Sequence, residues 1–122
     1  MTKFINLTLA GLALTLIACD AEPDGEVNED GVTVIETDGM TFSPSEVTIA
    51  AGDTVRFVLA DAHNALEVGK DAFDNREKTP LDGGFYVDFG ETAEITFEDA
   101  GTYWYVCEPH VGMDMVGKIT VE

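Results

Sequence analysis

From Gly31 onward, β-branched and aromatic residues recur in short blocks separated by turn residues. Val32-Thr33-Val34-Ile35 and Val47-Thr48-Ile49 are two such blocks, and Ala50-Ala51-Gly52-Asp53 makes a turn after the second. Thr54-Val55-Arg56-Phe57-Val58-Leu59 sets an apolar face against a polar one, the period-two pattern of a half-buried strand. Phe85 to Phe89, Ala93 to Phe97, Thr102 to Val106 and Gly117 to Val121 continue the series, with Gly90-Glu91 turning the chain between the first two. Short strands at roughly regular spacing predict an all-β fold, an antiparallel β-sandwich with Greek-key connections. The polar stretch Gly69 to Gly84 breaks the pattern and suits a short helix or a loop. No internal repeat is visible.

The amino terminus follows a different rule. MTKFINLTLAGLALTLIAC opens with one Lys and runs through apolar residues to Cys19, the layout of a secretory signal. Its ending, Leu16-Ile17-Ala18-Cys19, resembles the lipobox of bacterial lipoproteins, in which the Cys is acylated and becomes the first residue after cleavage. Residues 1–18 are therefore expected to be a lipoprotein signal peptide, with an uncleaved membrane anchor as the alternative. The segment that follows Cys19 is acidic and nearly devoid of apolar residues, so 19–31 reads as a flexible linker. The expected product is an exported domain over 32–122, tethered on the periplasmic or cell-surface face of a membrane.

Charge narrows the partners. The chain of 122 residues carries 24 acidic and 6 basic side chains, a formal net charge of −18. Phosphate backbones need clustered Lys and Arg, so no nucleic-acid partner is expected. The acidity either keeps the protein soluble or steers a basic protein partner.

Only two cysteines are present, Cys19 and Cys107. In an exported protein the ordinary reading is a disulfide between them. If Cys19 carries lipid, Cys107 has no partner in the chain, and a lone thiol in an oxidising compartment is at risk unless a metal occupies it.

The stretch CEPHVGMDM, Cys107 to Met115, supplies the rest of a metal site. It holds a thiol, the imidazole of His110 and two thioethers, Met113 and Met115, within nine residues. The other histidine, His63, lies far upstream beside Asn64. Two imidazoles and a thiolate in a trigonal plane, with a weak thioether on the axis, make a mononuclear blue-copper ligand set. Cu(I) favours soft sulfur and Cu(II) favours nitrogen. A rigid site between the two preferences lets copper change oxidation state with little movement. Taken singly, each residue has a plainer reading: His63 as a structural histidine, Cys107 as an inert buried thiol, Asn64 as a turn residue and Met40 as core filler.

The pieces MTFSPSEVTIAAGDTVRF, HNALEV and GTYWYVCEPHVGMDMVGKITVE resemble cupredoxins, in particular plastocyanin, pseudoazurin and halocyanin. The resemblance spans most of 32–122 and is weakest between Gly69 and Gly84. It implies a Greek-key β-sandwich with one type 1 copper ion held by His63, Cys107, His110 and Met115. The loop length favours Met115 over Met113 as the axial ligand. Asn64 is similar to the family Asn whose side chain ties the two ligand loops together. His110 corresponds to the ligand whose ring edge reaches the surface, which makes Val111 and Met113 candidates for an apolar docking surface. Pro109, lacking an N–H, cannot donate to the thiolate sulfur, and a lowered reduction potential is expected.

The expected function is a monomeric carrier shuttling single electrons between redox proteins such as a cytochrome, an oxidase or a reductase. The alternative is copper delivery or storage without redox turnover. An enzyme is not expected, because catalytic copper centres need additional histidines and this chain has none to spare.

Overall fold

The computed structural model describes residues 26–27 and 31–122. The expected signal peptide, Cys19 and most of the linker lie outside the described residues. Among the described residues no helix is long and apolar enough to cross a membrane.

Among the described residues ten strands form two sheets. In chain order they are β1 Glu26–Val27, β2 Thr33–Asp38, β3 Thr41–Ser43, β4 Glu46–Ile49, β5 Asp53–Val58, β6 Ala65–Val68, β7 Tyr86–Val87, β8 Thr92–Phe97, β9 Gly101–Val106 and β10 Val116–Val121. The first sheet runs β1-β2-β5-β8, with β3 also on β2; the second runs β4-β10-β9-β6-β7. The expected sandwich is present, and its sheets are mixed. β2 lies parallel to β5, and β4 lies parallel to β10. Both parallel pairs join strands distant in sequence, where the chain has crossed between sheets and no hairpin turn imposes an antiparallel return.

Alternation places the core where the pattern predicts. Val55 and Phe57 of β5 and Ile119 and Val121 of β10 are buried, and they meet Ile35, Ile49 and Tyr105 between the sheets. Tyr105 is packed edge-on against Phe42 and Phe57. It lies opposite Gly117 across the β9–β10 pair, and a Cβ built on Gly117 would overlap the tyrosine ring. The aromatic ring thus occupies the side-chain space that glycine leaves. Met40 is not core filler: it is 47% exposed, just after the tight β2–β3 turn at Gly39.

The polar stretch 69–84 contains a short helix, α1 Lys70–Asp74, which packs on β9. It covers the outer face of the second sheet, where Leu66, Val68, Ala72, Val106 and Val111 form a second buried cluster. Glu67 closes the loop between α1 and β7: its N–H donates to the Phe85 carbonyl, and its Oε1 accepts from the Phe85 N–H at 3.0 Å.

Burial raises the Glu67 carboxyl above its ordinary value, and the Phe85 N–H only partly opposes this. The folded state therefore favours protonated Glu67. That contribution is fully present below the unfolded pKa and is lost as pH rises through the raised folded value. Glu67→Gln keeps the acceptor for Phe85 without the buried charge. We expect the variant to match wild type in urea unfolding near pH 4 and to exceed it in stability increasingly toward pH 7. A pH-independent difference would refute this account.

Candidate metal centre

Two loops, β5–β6 and β9–β10, bring the expected ligands to one end of the sandwich. His63 ends the β5–β6 connection, where its N–H donates to the Ala60 carbonyl and its own carbonyl accepts from Gly90. Cys107 follows directly on β9. His110 sits in the 3-10 turn Glu108–Met113, and Met115 immediately precedes β10. Because β6 and β9 are neighbours, pairing Leu66 with Val106, the loops bearing His63 and Cys107 emerge side by side.

The donor atoms converge. His63 Nδ1 lies 3.2 Å from His110 Nδ1 and 3.7 Å from Cys107 Sγ, and the third side, Cys107 Sγ to His110 Nδ1, is 3.5 Å. The point equidistant from all three lies roughly 2.0 Å from each, the length of a transition-metal bond to imidazole and close to that for thiolate. No carboxylate belongs to this group. Two nitrogens and one sulfur around a metal-sized gap fit a soft or borderline ion, copper in particular, and suit neither calcium nor magnesium.

Electrostatics agree with this use. Burial, and then the neighbouring His110, hold His63 below its ordinary pKa, although the Gly39 backbone acts in the opposite direction. The ring is thus neutral, as a ligand must be. Burial raises the Cys107 thiol, and the Glu108 charge adds to this, while the backbone N–H groups of Asn64 and His110 act in the opposite direction. A metal cation supplies the positive charge that a buried thiolate otherwise lacks.

The remaining expected residues separate clearly. Met115 is fully buried within the main core, and its carbonyl accepts from the Cys107 N–H at 3.0 Å. Met113 is 63% exposed, whereas Met115 shares the core cluster with Cys107, so Met115 is the thioether that could hold a metal. Val111 is 9% exposed and packs inward against the second cluster. It is therefore excluded from a docking surface, because the 3-10 turn points it at the sheet. Pro109 occupies the first turn of that 3-10 segment, where its missing N–H breaks no helical bond.

Asn64 is fully buried and bridges the ligand loops. Its Oδ1 accepts from the Glu108 N–H at 2.9 Å, and its Nδ2 donates to Glu108 Oε1 at 2.8 Å. Nδ2 also reaches the Tyr86 hydroxyl at 3.4 Å, which in turn donates to Asp88. Sequence reasoning missed Glu108 and Tyr86, whose roles depend on contacts across the fold.

A profile described as copper binding proteins, plastocyanin/azurin family, matches residues 29–122. Plastocyanin A/B from Petroselinum crispum is 40% identical over 91 residues, covering 68% of this chain and 89% of that protein. The crystal structure of amicyanin from Paracoccus versutus superposes with a TM-score of 0.54 at 32% identity, over 82% of this chain and 91% of that one. Native pseudoazurin from Hyphomicrobium denitrificans gives 0.57 at 29% identity, over 74% of each chain.

Removing the Asn64 side chain strands the Glu108 N–H in a partly buried position. Asn64→Ala is expected to cost about 1–3 kcal/mol in urea unfolding of metal-free protein, the penalty for an unmet buried donor. A loss below about 0.5 kcal/mol, less than one ordinary hydrogen bond, would show that the loops hold together without it.

Proposed function

The chain belongs to the plastocyanin/azurin family of copper-binding proteins, and we propose that it carries single electrons between larger redox proteins from one type 1 copper site. The triangle of His63, Cys107 and His110 donors carries this reading. Bound there, copper supplies a one-electron Cu(I)/Cu(II) couple. His63, Cys107, His110 and Met115 would hold the ion.

The protein's part is to keep these donors still. Cys107 and Met115 belong to the main core, and close-packed interiors resist displacement. Asn64 fixes the spacing of the two loops, so both oxidation states meet nearly the same geometry. His110 is only half buried and offers the shortest way to a partner. Met113 beside it is exposed, as are Phe89, next to the Gly90 that binds the His63 carbonyl, and Met40, next to the Gly39 whose backbone acts on the His63 ring. These apolar side chains suit a small dry contact, and the surrounding acidity suits a partner with a basic rim. Export and tethering through a lipid on Cys19 complete the reading, supported by the signal-like start and the LIAC ending.

Loading metal-free protein with cupric ion is the direct test. An intense visible colour that Cys107→Ala abolishes is the expected result. A colourless copper adduct would instead favour delivery or storage.

Pro109 bears on the potential. The backbone N–H groups of Asn64 and His110 act to lower the Cys107 thiol against the effect of burial, and proline withholds a further donor. Pro109→Ala is expected to raise the reduction potential by on the order of 50 mV, the equivalent of one hydrogen bond of ~1 kcal/mol in a one-electron couple. Voltammetry giving an unchanged or lower potential would count against this.

A further inference from the structure

Resting on the assignment of Cys107–Met115 as the ligand loop, we propose that Arg76 is a positioning residue that clamps this loop from outside through Asp114. The Cys107 end is secured by β9 and by the Asn64–Glu108 pair. The Met115 end leaves the 3-10 turn through Asp114, which has a left-handed backbone with φ of 65°. Around this reversal the Asp114 N–H donates to Val111, the Met115 N–H to His110, and the Val116 N–H to Asp114. Three short-range bonds hold a strained reversal next to a ligand, and a further hold on Asp114 comes from outside the loop.

That hold is Arg76 Nε, which donates to Asp114 Oδ1 at 2.8 Å. Arg76 is poised for the task. It too has a left-handed backbone, with φ of 57°, uncommon for a residue other than glycine. Its NH1 donates to the Phe73 carbonyl at 2.6 Å, and its guanidinium lies 5.2 Å from the centre of the Phe73 ring. Phe73 in turn packs on the second buried cluster. A guanidinium already fixed by a carbonyl and an aromatic face loses little freedom when it binds a carboxylate. The same segment braces the loop from beneath, since Ala72 shares that cluster with Val111. The stretch least like the family in sequence thus grips the ligand loop at Val111 and again at Asp114.

An exposed ion pair adds little to global stability, so the effect is local. Arg76→Met keeps an aliphatic stem over Phe73 and removes the donors. Asp114→Asn keeps a residue that tolerates the left-handed backbone and removes the charge. In the metal-free full chain, amide hydrogen exchange at Asp114 and Met115 should quicken roughly two- to fivefold in either variant, the range for an exposed pair. The double variant should be no faster than the singles, and β10 amides should be unaffected. In copper-loaded protein both variants should alter the relative intensities of the visible bands alike, with Arg76→Lys restoring part of the change. Unchanged exchange, additive effects, or equal acceleration throughout β10 would overturn the proposal. If wild-type protein takes up copper without colour, the electron-carrier reading fails while the exchange data still decide the role of Arg76.

Discussion

The reciprocal hydrogen bonds between Asn64 and Glu108 are the constraint on which the site depends. They join two loops that the chain separates by 44 positions, counted from Asn64 to Glu108. Strand pairing of β6 with β9 brings those loops near each other, but a sheet register alone leaves loop tips free to shift. The Asn64 side chain removes that freedom, because its two functional atoms engage both the backbone and the side chain of one residue. His63 and Cys107, its neighbour and Glu108's neighbour, inherit the alignment.

Core and site are also continuous. Cys107 and Met115 are members of the same packed cluster as Phe57, Tyr105 and Ile119, so the sulfur donors sit at the end of the hydrophobic interior. Burial keeps His63 neutral and opposes ionisation of Cys107. The domain thus prepares nitrogen for coordination at no cost and leaves the thiolate dependent on a cation. His110 and the exposed methionine beside it open this arrangement to the outside.

Much of this was legible in the sequence, for identifiable reasons. β5, β8, β9 and β10 announce themselves by alternation, and the Cys107–Met115 spacing carries the donor chemistry. β6 escaped because Ala65–Val68 is buried throughout and shows no alternation to read. β3 is three residues long, too short to establish a period. Sheet direction is invisible in local pattern, so the parallel pairs of β2 with β5 and β4 with β10 had no signal. Val111 and Met40 were misplaced because hydrophobicity does not tell which way a turn points its side chains. Glu108 and Arg76 look like ordinary surface residues until the fold brings Asn64 and Asp114 to them.

A donor triangle assembled by the polypeptide itself has a further consequence, for selectivity among ions. Zinc accepts the same imidazoles and thiolate at nearly the same bond lengths, and it has no redox couple to lose or gain. Such donors bind cupric ion more tightly than zinc, yet both are accepted, so availability decides which one occupies the site. Correct metallation then rests on which ion is supplied where the polypeptide folds, and a zinc-filled molecule would be folded, stable and inert.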